Sequence, residues 1–219
     1  MIAHLNSNFD LLHQYSESLP YGMDEKFVSL YRALKEAEEK FHFPAVKDDV
    51  GSFLSFLSKS HGFETVFEFG SGYGQSAFWF LKNNPKLTRI YLTEKRDDMQ
   101  AVFESMPWPE DFFSRMDYYQ GDAFQKVNEV DSFDLLLIDG VKADYLKFVQ
   151  IAEKKLSPKG LVVIDNAFWR GSFLDQELVE KKVSAQNMKA LHDYIKASSF
   201  WDAQFLPFSD GVILLSRKV

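Results

Sequence analysis

The chain has no cysteine among its 219 residues, so disulfides, thiolate metal sites and cysteine nucleophiles are all excluded. It has no apolar run approaching the ~18 residues that a membrane-spanning helix needs. Its first residues lack a basic stretch followed by an apolar one, so no secretory signal is read there. A soluble cytoplasmic protein with no membrane partner is the expectation. Positive charge is not in excess either: the formal net charge is −7. An acidic surface repels phosphate backbones and makes nucleic acid an unlikely general partner, with room only for a local basic patch. There is no internal repeat and no low-complexity segment.

What is present suffices for one substantial core. Hydrophobic residues make up 46% of the chain, and its length fits a single α/β domain over 1–219. Within it, 1–60 reads as an N-terminal helical cap and 61–219 as the α/β core. Residues 1–23 end in the turn signal Pro20-Tyr21-Gly22. Over 24–41, Phe27, Leu30, Tyr31, Leu34 and Ala37 recur at helical spacing. This amphipathic helix is expected outside the sheet core, covering the active site or mediating dimerisation. Val50, Phe53, Leu54 and Leu57 mark a second helix that stops before His61-Gly62.

From residue 65 the pattern alternates. Strands are predicted near 65–69, 89–93, 117–120, 134–139 and 161–165, and helices near 74–82, 96–105, 142–155 and 173–197, the last one broken. Such alternation implies a doubly wound parallel sheet with helices on both faces. The tail differs, because Trp201–Leu206 and Val212–Leu215 are joined by Pro207-Phe208-Ser209-Asp210-Gly211 with no helix between. The pair predicts an antiparallel hairpin that closes a seven-stranded, Rossmann-like sheet.

Two strand ends carry the chemistry. Leu135-Leu136-Leu137-Ile138-Asp139-Gly140-Val141-Lys142 and Leu161-Val162-Val163-Ile164-Asp165-Asn166 are apolar runs that each end in an acid. Continuous runs of this kind are strands buried on both faces, and open α/β sheets bind ligands at their carboxyl edge. Asp139, Asp165 and Asn166 offer only oxygens, the donor set of a hard cation such as Mg²⁺, Ca²⁺ or Mn²⁺ and not of zinc. Lys142 lies one short turn away as a candidate base, which a nearby divalent cation and partial burial would both help. Taken singly, Asp139 also fits a helix N-cap, Asp165-Asn166 a turn and Lys142 a solvated lysine.

A second cluster surrounds Phe67-Glu68-Phe69-Gly70-Ser71-Gly72-Tyr73-Gly74-Gln75-Ser76, which follows the first strand and opens a helix. Glycines let the backbone approach a ligand closely, and the helix start offers free N–H groups; a ligand-free tight turn is the alternative. The G-x-G-x-G spacing, with Gln75 where a dinucleotide fingerprint wants Gly or Ala, argues against a nicotinamide dehydrogenase. Glu68 fits poorly beside a pyrophosphate and well beside an amino group. Glu94, at the end of the second strand, can accept from ribose hydroxyls, and Asp122 of Gly121-Asp122-Ala123 can meet an adenine amine. Amine, ribose and adenine without phosphates describe S-adenosylmethionine.

These residues resemble the class I, divalent-metal-dependent O-methyltransferases that use S-adenosylmethionine, the branch of catechol and caffeoyl-CoA O-methyltransferases and their bacterial relatives. The resemblance covers about 27–219. It rests most on Ile138-Asp139-Gly140-Val141-Lys142-Ala143-Asp144-Tyr145, on Asp165-Asn166-Ala167-Phe168-Trp169-Arg170-Gly171 and on Leu206-Pro207-Phe208-Ser209-Asp210-Gly211-Val212. It implies metal ligation by Asp139, Asp165 and Asn166 and a catalytic base at Lys142. It implies cofactor contacts at Glu68, Gly70, Ser76, Glu94 and Asp122, with neighbouring Gly72, Ala123 and Asp139 in the same site. Phe43-Pro44-Ala45-Val46-Lys47-Asp48, 105–116 and Gln75 depart from the family pattern.

The expected reaction is Mg²⁺-assisted methyl transfer to a hydroxyl of a small catechol-like acceptor, with Phe168 and Trp169 walling the substrate or simply packing. Homodimers among relatives make a homodimer the expectation here. Two rivals stay open: a tRNA hydroxyuridine methyltransferase using Lys147, Lys154, Lys155, Lys181 and Lys182, and a non-catalytic binder of the cofactor.

Overall fold

A computed structural model describes residues 24–207 and 209–218, together with Leu11 and Tyr15. The expected turn at Pro20-Tyr21-Gly22, and Phe208 of the hairpin loop, lie outside the described residues. Seven strands form one sheet: β1 (Thr65–Phe69), β2 (Arg89–Glu94), β3 (Met116–Gln120), β4 (Phe133–Ile138), β5 (Leu156–Ile164), β6 (Trp201–Leu206) and β7 (Val212–Arg217). Their order is β3-β2-β1-β4-β5-β7-β6. The first five run parallel, and β7 pairs antiparallel with both β5 and β6. Strand order reverses between β1 and β4, so their carboxyl ends open a crevice there.

Alternation along β4 shows why the sheet is buried on both sides. Leu135 and Leu137 join one apolar cluster, and Leu136 and Ile138 join the other. The first cluster is covered by α1 (Val28–Phe41), α2 (Asp48–His61), α3 (Gln75–Leu81) and α4 (Met99–Ser105). A one-turn helix, α5 (Glu110–Phe113), follows α4. The second cluster lies under α6 (Ala123–Glu129), α7 (Tyr145–Lys155) and α9 (Val183–Ala197), with α8 (Gln176–Lys181) leading into α9.

The N-terminal helices are part of this packing. Leu30, Leu34 and Ala37 form the buried stripe of α1, and the Tyr31 ring lies 5.9 Å from Phe78 on α3. Helix α1 therefore docks against the layer that covers the sheet. Helix α2 carries Asp48 and Asp49 in its first turn, where the macrodipole favours acids. It ends at Gly62 in the left-handed region, whose N–H donates to Ser58 O at 3.0 Å.

Several elements differ from the expectation. The helix expected from residue 142 opens as a 3₁₀ turn over Lys142–Asp144 before α7. Strand β5 begins at Leu156, paired with Phe133 across a register shift. Helices α5 and α6 were not anticipated. Helix α6 is short and starts where Gly121-Asp122-Ala123 reads as a strand end. The broken helix near 173–197 resolves into a 3₁₀ turn over Trp169–Leu174, then α8 and α9.

Close packing of α2 on α3 yields a prediction. A Cβ at Gly51 would sit inside the Trp79 indole. Gly51→Ala is expected to destabilise the protein by about 1–3 kcal/mol, as overpacking does. Urea denaturation measures this, and a midpoint equal to wild type would contradict the packing.

Candidate active site

The site is built by strand ends. Asp139 and Asp165 each follow the last residue of a parallel strand, and the ladder continues through them: Asp139 N–H donates to Phe69 O at 2.9 Å and Asp165 N–H to Ile138 O at 3.0 Å. The carboxyl ends of β1, β4 and β5 are thereby held side by side. Gly70 allows the closest approach. Its φ is +89°, and a Cβ there would lie 2.6 Å from Asp139 O.

Asn166 brings the two acids together. It stands at φ 52°, its N–H donates to Asp165 Oδ1 at 2.7 Å, and its side-chain Nδ2 reaches Asp139 Oδ1 at 3.2 Å and Asp165 Oδ2 at 3.3 Å. Burial, and then the Asp165 charge, raise the Asp139 carboxyl well above the usual range, with Lys142 opposing. Burial likewise raises Asp165. Two carboxylates that resist joint ionisation, with an amide that can turn its oxygen toward them, form an all-oxygen set that fits a hard divalent cation. Among the described residues there is no metal cluster of three or more His, Cys, Asp or Glu, so the candidate set is two carboxylates and one amide.

Lys142 stands beside this set. Its Nζ donates to the Tyr145 hydroxyl, which donates in turn to Asp165 O at 3.1 Å. The ammonium also faces two rings, 4.2 Å from the Tyr145 centroid and 5.0 Å from that of Trp169. Burial lowers the lysine's pKa, against the charges of Asp139, Asp165 and Asp210, a direction that suits a base. The segment carrying Trp169 is held by the C-terminal hairpin. Ala167 N–H donates to Gly211 O at 2.8 Å, Phe168 N–H to Asp210 O at 2.9 Å and Arg170 N–H to Asp210 Oδ1 at 2.8 Å.

On the other side of the crevice, the Glu68 carboxylate accepts from Ser76 Oγ at 2.6 Å. Glu94 accepts from the N–H groups of Gly72 at 3.0 Å, Lys95 at 2.8 Å and Arg96 at 2.9 Å. Glu68, Gly70, Ser76 and Asp139 share the lining of one small cavity of about 10 Å³. Gly72 lies beside it, under the ring of Phe43. Asp122 is the exposed N-cap of α6, accepting from Phe124 N–H at 2.9 Å, and follows Gly121, whose N–H donates to Glu94 O at 2.8 Å; Ala123 is buried.

Two features of this half went unread in the sequence. Phe43 and Val46 line the same cavity from the segment between α1 and α2. Gln75 ties that strap down, its Nε2 donating to Val46 O at 3.1 Å while its Oε1 accepts from Tyr73 at 2.7 Å. The Gln75–Val46 contact joins residues distant in sequence, so no local pattern announces it. Of the lysines considered for a nucleic-acid patch, Lys147 pairs with Asp144 at 2.9 Å and Lys181 with Glu177 at 2.5 Å, and Lys155 donates to Val130 O at 2.5 Å.

Burial, set against hydrogen bonds from Ser76 and Ser71, pushes the Glu68 carboxyl from 4.5 up to about 7. The folded chain then holds this proton more tightly than the unfolded chain. Glu68 therefore costs stability progressively as pH rises from about 4.5 to about 7. Urea titrations of ligand-free wild type and Glu68→Gln are expected to diverge by up to about 3 kcal/mol across that window, the glutamine variant losing less. Parallel curves would contradict the assignment.

A family model described as O-methyltransferase matches residues 25–219. A protein named catechol O-methyltransferase from Niastella koreensis is 26% identical over 208 residues, covering 92% of this chain and 91% of that protein. Among solved structures, the O-methyltransferase TomG of Streptomyces achromogenes, in complex with S-adenosylmethionine, superposes with a TM-score of 0.82 at 22% identity, covering 97% of this chain and 98% of that one. An O-methyltransferase from Bacillus cereus, in complex with S-adenosylhomocysteine, gives 0.79 at 20% identity, with 97% and 99% covered. The strand ends, the glycine turn and the C-terminal hairpin thus sit in a chain that belongs to the O-methyltransferase family.

Proposed function

We propose that this chain transfers a methyl group from S-adenosylmethionine to a hydroxyl of a small acceptor with adjacent oxygens, such as a catechol, with the help of a hard divalent cation. The observation that carries the reading is the grouping of Lys142, Asp139, Asp165 and Asn166 at the carboxyl ends of β4 and β5, across the switch point from Glu68. The family match and the relative named catechol O-methyltransferase support it.

Glu94 and Glu68 take the donor's side. The Glu94 carboxylate has lone pairs left for ribose hydroxyls, and Glu68 offers a buried carboxylate to an ammonium, whose charge would draw its pKa down again. The Phe43–Val46 strap lines the same small cavity as Glu68 and Ser76, which puts it beside the proposed donor. Asp139, Asp165 and Asn166 would hold the cation, which lowers the pKa of a coordinated hydroxyl.

Lys142 first releases a proton to solvent, which its lowered pKa favours, and the neutral amine then receives the acceptor's hydroxyl proton. The acceptor oxygen then attacks the methyl carbon in line with the departing sulfur. The C–S bond breaks, a C–O bond forms, and the sulfonium leaves as a neutral thioether. The Tyr145 and Trp169 ring faces near Lys142 shape the acceptor's space and keep water from it.

Lys142→Ala is expected to lower kcat on catechol by about 10²–10⁴-fold, the usual share of a general base, while the Kd for S-adenosylmethionine by calorimetry stays within about threefold. Unchanged turnover would remove Lys142 from the mechanism. EDTA is expected to abolish methyl transfer and added Mg²⁺ to restore it; activity in EDTA equal to that in Mg²⁺ would remove the cation.

A further inference from the structure

Helix α9 buries Ala185, Met188, Leu191 and Ile195, and with them one polar side chain, His192, only 2% exposed. The proposed mechanism does not use this histidine. Its Nε2 lies 2.8 Å from Ala167 O. A carbonyl only accepts, so Nε2 carries the proton. Burial lowers the imidazole's pKa, against the pull of that carbonyl, and keeps the ring neutral. Phe173 stacks on the same ring at 3.8 Å between centroids and 14° between planes, and Phe205 of β6 lies 5.8 Å away at 25°.

Ala167 and Phe173 bracket the segment that carries Phe168 and Trp169. Ala167 also follows Asn166, whose φ of 52° aims its side chain at both acids. With Ala167 N–H already given to Gly211 O, the histidine holds the carbonyl of the same residue. Residues of the donor side, Glu68 and Glu94, stand on β1 and β2 and make no hydrogen bond to this helix.

We propose that His192 is a positioning residue for the acceptor side of the site: one imidazole fastens both ends of segment 167–173, and so sets Asn166 against Asp139 and Asp165 and Trp169 over Lys142. The acceptor-side assignment rests on the function proposed above. The positioning itself rests on the contacts alone. An apolar residue on this helix face would pack equally well and leave the Ala167 carbonyl without its donor.

Two variants separate the hydrogen bond from the packing. His192→Phe keeps an aromatic ring and loses the donor. His192→Gln places an amide Nε2 near the position of the imidazole Nε2 and restores it. With Mg²⁺, S-adenosylmethionine and catechol, His192→Phe is expected to raise the KM for catechol about tenfold, the worth of one buried hydrogen bond, with the KM for S-adenosylmethionine unchanged within about twofold. His192→Gln is expected to recover most of the loss.

Hydrogen exchange of the ligand-free full chain provides a readout that needs no substrate. Amides of 166–174 are expected to exchange about tenfold faster in His192→Phe, those of 65–94 to stay unchanged, and His192→Gln to return to wild type. Should His192→Phe not fold, His192→Asn, whose amide is too short to reach Ala167, takes its place with the same expectation. Unchanged exchange over 166–174 would overturn the proposal, and so would loosening of both segments together. A wild type that fails to methylate catechol would sink the acceptor reading, while the exchange pattern still decides the role of His192.

Discussion

Two carboxylates are kept close together beside a buried strand edge, and the rest of the site answers to that constraint. Asp139 and Asp165 are fixed by the sheet itself, because the backbone N–H of each continues the parallel ladder. They cannot separate without breaking it. Burial disfavours charge on both, and the Asp165 charge adds to this at Asp139, so the fold favours positive charge nearby. Lys142 supplies part of it from inside the chain, and the Asn166 amide supplies hydrogen bonds to both. The same carboxylates make the lysine's own burial bearable and oppose the fall in pKa that burial causes.

The two halves of the crevice are built differently. On the donor side, carboxylates are held by backbone amides and a serine: Glu94 by three N–H groups and Glu68 by Ser76. The Gly72 contact ties the loop after β1 to the end of β2, so two neighbouring strand ends are joined. On the proposed acceptor side the contacts come from the C-terminal elements. The hairpin turn at Asp210 and Gly211 holds the chain after Asn166, and α9 holds it again through His192.

The sheet was legible because β4 and β5 are apolar on both faces, a pattern that few arrangements besides a covered parallel strand can satisfy. Asp139, Lys142, Asp165 and Asn166 were legible for the same reason: a polar residue directly after such a run has nowhere to be except the sheet edge. Helix α6 was missed because the stretch after its N-cap, Asp122, is too short to show a helical period. The Phe43–Val46 strap and Gln75 were not legible, since Gln75 meets Val46 only once α2 and α3 have packed. His192 gave no signal at all. A lone histidine on an apolar helix face reads as core, and its partner, the Ala167 carbonyl, is a backbone atom that no residue identity reveals.

Calorimetric titration of S-adenosylmethionine into the intact chain tests the central claim most directly, with Glu94→Ala as the paired variant. The account predicts one equivalent bound by the wild type and binding weakened by at least about tenfold in Glu94→Ala, the scale of a lost charged hydrogen bond at the ribose. No binding to the wild type, or equal affinity in the two proteins, would contradict the placement of the donor at the β1–β4 switch point.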